Sequence, residues 1–385
     1  MRILHTADWH AGKTLWNRSR VPEQEKVYAE IVDIARREKV HLALIAGDVF
    51  ETNAPSPDAE RLVYGALAEM IGAGIPVVVV GGNHDNPKRL AALREMLAPL
   101  NIFVRAEPQR PEAGGVIEIR AGNELARIAV LPWVADQKLI DICQLMGPED
   151  EWYTTYSENV AAMCRRLAQS FSPDTVNILA AHLFAFGAET SGSERAIHVA
   201  QPLAVSPSRF PTTAQYIALG HIHKPQEITC PTRGCYAGSP LQLDFGERGQ
   251  QKRVVLVDVE AGQPASIDSI PLASGRQLRE ITGSVEELKN QAGAVRDDFL
   301  KLIVKTETQI PGIADELREI FPNALEVRVQ SAQAAETVAE ISGSKPLHEH
   351  FADFFRQSRG LEPAQEILNA FHTLELEVAN AADQT

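Results

Sequence analysis

Carboxylate, amide and imidazole side chains recur in this sequence directly after short apolar runs. Five runs show the pattern, at residues 2–7, 41–46, 75–80, 176–181 and 216–219. The polar residues that follow them are Asp8 and His10; Asp48; Asn83 and His84; His182; and His221 and His223. One such residue is usually a cap or a solvated turn residue, but five repetitions in one chain indicate a shared site.

The types of these side chains favour a site for divalent metal ions. They offer oxygen and nitrogen ligands and no thiolate, which suits Mn²⁺, Fe²⁺ or Zn²⁺ better than a structural zinc bound by cysteines. Seven ligands are too many for one ion, but they suit two ions roughly 3.5–4 Å apart that share a carboxylate. The candidate metal ligands are Asp8, His10, Asp48, Asn83, His182, His221 and His223.

The remaining histidines fall outside this pattern. His5 lies within the first apolar run, where a buried and hydrogen-bonded residue is expected. We expect no site role for the others, which are His41, His198, His348, His350 and His372.

The segments between the first three runs predict the elements that position the site. Residues 23–39 and 57–71 carry apolar side chains at helical spacing. Alternating strands and helices predict parallel strands with right-handed crossovers. Ligands bind at the carboxyl ends of such strands, so we expect all five polar clusters to meet at one edge of the sheet.

The rest of the chain predicts two further segments. Residues 276–330 alternate strand and helix patterns, with a capping box at Ser284–Glu287. Residues 347–359 and a stretch from Pro363 read as two amphipathic helices, with apolar side chains at Leu347, Phe351, Phe354, Phe355, Ile367, Leu368, Phe371 and Leu374 and with Gly360 between them. Helices this short must pack on something, either their own chain or a partner protein. The expected domains are residues 1–273, 276–330 and 345–380.

The composition indicates an ordinary globular protein and limits its partners. The 385 residues are 44% hydrophobic and carry a formal net charge of −14, which alone argues against nucleic-acid binding because phosphates attract basic surfaces. The four cysteines suit a reducing compartment. We find no signal-peptide pattern and no apolar run long enough for a membrane span, and we expect a cytoplasmic protein.

Together these motifs resemble a known family. Asp8-x-His10, Gly47-Asp48, Gly82-Asn83-His84-Asp85, His182 and Gly220-His221-x-His223 are similar to the motifs of the calcineurin-like metallophosphoesterases. More narrowly, the stretches HTADWHAGK, AGDVFETNAPSP, ALGHIHKPQ and YAGSPLQLDFGE resemble the bacterial SbcD exonuclease branch. The resemblance covers about residues 1 to 260.

The resemblance implies a fold and a division of roles. The fold would be α/β, a four-layer metallophosphoesterase β-sandwich flanked by helices, with a small α+β capping domain and a C-terminal helical tail. One Mn²⁺ ion would be held by Asp8, His10, Asp48 and His223, and the other by Asp48, Asn83, His182 and His221. His84 would be the catalytic residue at the reacting phosphate.

Two neighbouring acids have no settled role. Glu51 stands where some relatives carry a second catalytic histidine, and a carboxylate cannot replace a cationic imidazole there. Asp85 either holds His84 charged or is a turn residue.

The function implied by the resemblance is hydrolysis of DNA. The chain would be the double-strand exonuclease and single-strand endonuclease subunit of an ATP-dependent DNA-repair complex, associated with the nucleoid. Its partner would be an SbcC-type ATPase bound by the C-terminal helices. Residues 57–71 and 90–100 would form a homodimer through Leu62, Leu67 or neighbours, unless these helices only pack on their own sheet.

Two alternatives remain open, a phosphodiesterase for small molecules such as cyclic nucleotides and a non-catalytic scaffold. No arginine closely follows Asp48 or His84, which favours a diester over a dianionic monoester.

Overall fold

A computed structural model describes residues 1–147, 153–295, 297–307, 312–331, 351–356, 362–365, 367–369 and 371. The chain forms two compact units, Met1–Glu280 with Val295–Lys301, and Ile281–Ala294 with Leu302–Thr385. The helices are α1 (Val21–Arg37), α2 (Pro57–Gly72), α3 (Pro87–Leu97), α4 (Leu139–Met146), α5 (Tyr156–Leu167), α6 (Val285–Gln291) and α7 (Ile313–Ile320). The strands are β1 (Arg2–Thr6), β2 (Thr14–Leu15), β3 (Arg18–Ser19), β4 (Leu42–Ile45), β5 (Val77–Val80), β6 (Ile102–Arg105), β7 (Val116–Ala121), β8 (Glu124–Leu131), β9 (Val176–His182), β10 (Tyr216–Gly220), β11 (Gln226–Glu227), β12 (Arg233–Tyr236), β13 (Arg253–Asp258), β14 (Ser266–Pro271), β15 (Leu278–Gly283), β16 (Phe299–Thr306) and β17 (Ala324–Ser331).

Two six-stranded sheets form the centre of the first unit. Their strand orders are β14-β13-β1-β4-β5-β6 and β11-β12-β10-β9-β8-β7. β1, β4, β5 and β6 are parallel, as are β8, β9, β10 and β12, while the outer strands β7, β11, β13 and β14 pair antiparallel. The parallel strands read as continuous apolar runs because both faces of each sheet are covered.

Three apolar layers hold these sheets together. Leu44 and Val78 of the first sheet pack against the same cluster as Ile178 and Ala218 of the second, so this layer lies between the sheets. Helices α1 to α3 cover the outer face of the first sheet, and α4 and α5 cover that of the second. The order helix, sheet, sheet, helix confirms the predicted four-layer sandwich.

The expectation that all five polar clusters share one sheet edge is wrong. β1, β4 and β5 belong to the first sheet, whereas β9 and β10 belong to the second. Periodicity identifies each strand as buried on both faces, but it carries no information about which of two sheets the strand joins.

The packing of Leu62 and Leu67 speaks against these two residues as homodimer contacts. Leu62 and Leu67 are 6% and 4% exposed and lie in the core formed by α1, α2 and the first sheet. They are therefore occupied by packing of the helix on its own sheet. The homodimer, and an interface through neighbouring residues, stay predictions.

The C-terminal third follows the predicted order of elements. β15, β16 and β17 form a three-stranded sheet in that order, and Ser284 and Glu287 form the predicted capping box at the start of α6. In the tail, residues 351–356 are helical, and the rings of Phe351 and Phe371 stack 4.3 Å apart. Leu347, Gly360 and Leu374 lie outside the described residues. In the part of the chain that the structure describes, no helix is long and apolar enough to cross a membrane.

Candidate metal centre

The candidate ligands lie where the strands of both sheets end. Asp8 and His10 follow β1, Asp48 follows β4 and Asn83 follows β5, while His182 ends β9 and His221 and His223 follow β10. Four of them have positive φ angles: 52° at Asp8, 46° at His10, 47° at Asp48 and 104° at His221. Such angles are uncommon for residues other than glycine and concentrate at functional sites.

Glycines leave room for these side chains. A Cβ atom on Gly82 would lie 2.1 Å from Oδ1 of Asp48, and one on Gly47 would lie 2.0 Å from Nδ1 of His182. At position 82 a glycine is needed because a side chain would collide with Asp48. At position 47 a glycine is needed both because a side chain would collide with His182 and because the φ angle is 97°. This explains why the apolar strand β5 ends in glycines.

The structure brings the seven candidate ligands together. One group is Asp8, His10 and His223, and another is Asp48, His182 and His221, each with ligand atoms within 4.8 Å of one another. Oδ2 of Asp48 lies 3.6 Å from Nε2 of His10 and 3.5 Å from Nε2 of His182, between the two groups.

Several of these atoms are arranged as metal ligands are. Oδ2 of Asp8 is buried and has no hydrogen-bond partner among the described residues. Oδ1 of Asn83 faces imidazole nitrogens of both His182 (2.9 Å) and His221 (2.8 Å), and Nε2 of His10 faces Nε2 of His223 at 3.1 Å. Buried polar atoms of this kind require a partner, and a bound cation would supply one. The residues therefore fit divalent metal ions.

Burial and mutual attraction shift the pKa values of the cluster in both directions. Burial opposes the charge of His182, but the carboxylates of Asp48 and Asp8 raise its pKa to about 9. Burial lowers the pKa of His10 and, more strongly, that of His221, which leaves neutral imidazoles. Burial works against the charge of Asp48, but the combined attraction of His182 and the other neighbouring histidines outweighs it and lowers the pKa of the Asp48 carboxyl well below its usual range. Burial raises the pKa of Asp8 to about 6.

Glu51 supports a candidate ligand. Its carboxylate contacts Nδ1 of His10 at 2.8 Å and accepts a hydrogen bond from Nζ of Lys13 at 2.9 Å. Burial opposes its charge, but these two partners lower the pKa of Glu51 to about 2. A carboxylate on Nδ1 turns Nε2 of the imidazole toward a metal, so Glu51 is a positioning residue for His10.

A buried ion pair supports His223 in the same way. Oε1 of Glu247 lies 3.1 Å from Nδ1 of His223, and Oε2 of Glu247 accepts from Nζ of Lys252 at 2.6 Å. Glu247 is fully buried. It ends the stretch YAGSPLQLDFGE, which carried the resemblance, but nothing in the sequence links it to His223, 24 residues earlier.

His198, for which we expected no role, lies at the site. Its Nδ1 accepts from Nδ2 of Asn83 at 2.9 Å, which turns Oδ1 of Asn83 toward His182 and His221. Trp133 stacks on His221 with ring centroids 5.0 Å apart. His198 belongs to a short 3₁₀ turn, so no apolar run before it could have identified it.

His84 and Asp85 point in different directions. The Nδ1–H of His84 donates to the backbone oxygen of Glu51 at 2.8 Å, while its ring lies edge-on to His10. A nitrogen of His84 also lies within 4.8 Å of ligand atoms of His10 and Asp48. Asp85 instead accepts from the backbone N–H groups of Val49, Phe50 and Gly82. Of its two predicted roles, the turn residue is the one that these contacts support.

An arginine does reach the site, from outside the positions considered in the sequence. Nη2 of Arg195 lies 3.4 Å from Nδ1 of His84, although 111 residues separate them. The absence of arginine near Asp48 and His84 in sequence therefore says nothing about whether the substrate is a diester.

The other histidines behave as predicted where they are described. His5 is fully buried, and its Nδ1 lies 2.8 Å from the hydroxyl of Tyr216. His41 is on the surface and accepts from the backbone N–H of Arg2. His348, His350 and His372 lie outside the described residues.

The two facing sheets with ligands at their joint edge define a metallophosphoesterase. Residues 1–225 match the family model described as calcineurin-like phosphoesterase, and residues 274–359 match one described as type 5 capsule protein repressor C-terminal domain. A solved dimetal phosphatase from Danio rerio shares 11% identity, with a TM-score of 0.40 over 71% of this chain and 99% of that one.

Two curated relatives narrow the class. A Bacillus subtilis (strain 168) protein, named as the SbcD subunit of nuclease SbcCD, is 30% identical over 100% of this chain and 99% of its own length. A Rhodobacter capsulatus protein of the same name is 32% identical over 84% of this chain and 85% of its own length. The chain belongs to this SbcD nuclease family of calcineurin-like phosphoesterases, and it is a metal-dependent phosphodiester hydrolase.

Proposed function

We propose that this chain is the nuclease subunit of an SbcCD-type complex and hydrolyses DNA phosphodiesters with two Mn²⁺ ions. It would act as an exonuclease on double strands and an endonuclease on single strands. The observation that carries the proposal is the cluster of seven candidate oxygen and nitrogen ligands at the joint edge of the two sheets. Oxygen and imidazole ligands suit Mn²⁺, and the family resemblance favours it over Fe²⁺ or Zn²⁺.

The ligands divide into two sets around one shared carboxylate. Asp8, His10 and His223 would hold one ion, Asn83, His182 and His221 the other, and Asp48 both. When bound, the ions polarise the phosphate and lower the pKa of water. The uncoordinated ring nitrogens of His10 and His223 contact the carboxylates of Glu51 and Glu247, which fixes the orientation of both rings.

His84 would act on the substrate. Its Nδ1–H donates to the backbone of Glu51, which leaves Nε2 to hold the proton that the leaving oxygen receives. Its backbone N–H donates to Oδ1 of Asp48 at 2.8 Å, so the catalytic side chain and the shared ligand are held in one geometry.

Metal content and turnover separate these roles. His84→Ala should retain both ions and lose about 10²- to 10⁴-fold of its turnover, as expected for the loss of a general acid. Asp48→Ala should lose metal as well as turnover. We would measure bound Mn²⁺ by elemental analysis after gel filtration and digestion of linear duplex DNA, with His41→Ala as the surface control. Loss of metal from His84→Ala would show that His84 is a ligand.

The C-terminal helices would bind an SbcC-type ATPase, whose basic surface would offset the charge of −14 on this chain. In the tail, Phe354 is 66% exposed and Ile367 is 41% exposed, which leaves apolar surface for a partner. Residues 276–330 would position DNA for the nuclease domain, and a homodimer would complete the assembly.

Phe354→Asp in the full chain tests the partner site. The variant should keep its metal and its hydrolysis of a chromogenic diester but no longer co-purify with the co-expressed ATPase. Gln365→Asp, a change at an exposed polar position of the same tail, is the matched control. Undiminished co-purification of Phe354→Asp would place the contact elsewhere.

A further inference from the structure

A large cavity opens beside the candidate metal centre. Its volume is about 980 Å³, and its lining includes Gly82, Asn83 and His198. Because Asn83 contacts both His198 and His182, we call this part of the lining the inner end. This size is typical of pockets that bind small ligands. Asn83 is a candidate ligand in the metal cluster, so anything bound in the cavity lies next to the reacting phosphate.

The walls of the cavity combine apolar and aromatic surface. Trp133 lines it together with Ala135, Ile142, Leu145 and Pro108. Leu145 is 51% exposed, which leaves an unusually open apolar side chain at the rim. Aromatic and aliphatic walls of this kind bind the flat face of a nucleobase, and they tolerate any base because each has such a face.

The lining of the cavity is less acidic than the chain as a whole. Arg110, Lys138 and Arg195 line the cavity, as do the exposed acids Glu107 and Asp141. The buried Asp85 also lines it, but backbone N–H groups satisfy its carboxylate. The lining therefore carries as many basic as acidic groups, in a chain with 51 acidic and 37 basic residues.

Arg195 connects this cavity to the catalytic histidine. It lines both the large cavity and a smaller one formed by residues 52–53, 83–88 and Arg195 itself. Its guanidinium lies 3.4 Å from the His84 ring, and within the described residues it forms no ion pair with a carboxylate. A guanidinium in this position can bind a phosphate oxygen.

We propose that this cavity binds the nucleoside attached to the scissile phosphate, and that Arg195 holds an oxygen of that phosphate beside His84. The inference rests on the proposed function and adds a substrate subsite to it. The base lies against Trp133, Ile142 and Leu145, and the phosphate lies at the inner end. Because these contacts are not specific for one base, the site accepts any nucleotide, as a nuclease that digests DNA of any sequence requires.

Two chromogenic substrates test the subsite. Thymidine 5′-(p-nitrophenyl phosphate) carries a nucleoside, whereas bis(p-nitrophenyl) phosphate carries none, and both release p-nitrophenol. With Mn²⁺, the wild-type protein should have the lower KM for the thymidine substrate. Leu145→Trp partly fills the cavity from its rim and should reduce this preference about tenfold, equivalent to about 1.4 kcal/mol of binding. Ile142→Trp, on the same wall, is the second filling variant.

Arg195→Ala should act on both substrates because both contain the phosphate. We expect kcat/KM to fall about 10- to 100-fold for each, the range for loss of a charged hydrogen bond, with partial recovery in Arg195→Lys. Arg120→Ala, at an exposed arginine on β7, is the matched control. Calorimetry with thymidine 5′-monophosphate and the Mn²⁺-loaded His84→Ala protein gives a readout without turnover, and adding Leu145→Trp should raise Kd about tenfold.

The outcomes are distinct. Filling variants that fold normally, keep the substrate preference of the wild type and bind the nucleotide equally well would overturn the subsite. If the wild type hydrolysed neither substrate with Mn²⁺, the proposed function would fail, while calorimetry would still decide whether the cavity binds a nucleotide.

Discussion

The buried pair of Glu247 and Lys252 predicts a change that affects stability and metal affinity separately. Glu247→Gln preserves the shape of the side chain but removes its charge, which leaves the ammonium of Lys252 buried without a counter-ion. Breaking a buried ion pair costs about 3–5 kcal/mol. The ammonium keeps hydrogen bonds to His223, Ser239 and Gln250, so we expect the low end of the range, about 3 kcal/mol.

The same change weakens the support of a candidate ligand. Loss of a carboxylate behind a ligating histidine typically lowers metal affinity about 10- to 100-fold. Adding Lys252→Met removes the unpaired charge, so the double variant should recover stability to within about 1 kcal/mol of the wild type. It should not recover metal affinity, because His223 still lacks its carboxylate.

Two measurements on the same proteins separate the effect on stability from the effect on metal affinity. Urea unfolding in the presence of a chelator gives the free energy of unfolding without a contribution from metal, and calorimetry gives the affinity for Mn²⁺. If Glu247→Gln unfolded within about 1 kcal/mol of the wild type and bound Mn²⁺ equally well, the pair would have neither role. If the double variant recovered metal affinity, the effect of Glu247 on the site would run through the fold and not through His223.

Two further changes test the fold around the site. Gly82→Ala places a Cβ atom where it would overlap Asp48, so we expect loss of bound metal by elemental analysis, whereas Gly65→Ala, with open space around its Cβ position, should bind metal normally. Burial lowers the pKa of His5 to about 3, so the unfolded chain binds a proton below pH 6.5 that the folded chain does not, and stability falls as the pH drops through this range. Between pH 7.5 and 5.5 this proton lowers the free energy of unfolding by about 1.4 kcal/mol. Urea unfolding of chelator-treated His5→Leu should therefore show a pH dependence smaller by this amount. An unchanged pH dependence would contradict the burial of His5 as its cause.

The ends of the strands could be predicted from the sequence because the residues change there from apolar to polar. A run such as residues 75–80 is apolar until the chain leaves the sheet, and Asn83 follows at once. The residues that support the candidate ligands or His84 do not follow such a change in the sequence. Glu247, His198 and Arg195 become part of the site only when two sheets bring their loops together, and the partner of each is 24 to 115 residues away.

The pattern of apolar residues also could not show which strands belong to which sheet. β9 and β10 resemble β4 and β5 in composition, since all four are covered on both faces. Which strands pair depends on contacts between distant residues, such as Ile128 with Ile178 in the second sheet. The sequence patterns likewise do not predict the helices α4 and α5 or the strands β7 and β8.

The origin of the ligands in two different sheets has a thermodynamic consequence. Asp8, Asp48 and Asn83 come from one sheet, while His182 and His221 come from the other, so bound ions would tie the two halves of the sandwich together. The free energy of unfolding would then rise by about 1.4 kcal/mol for each tenfold increase of free metal above Kd, for each ion that binds only the folded chain. A cell that limits this metal would therefore lower the resistance of the protein to unfolding and proteolysis along with its activity.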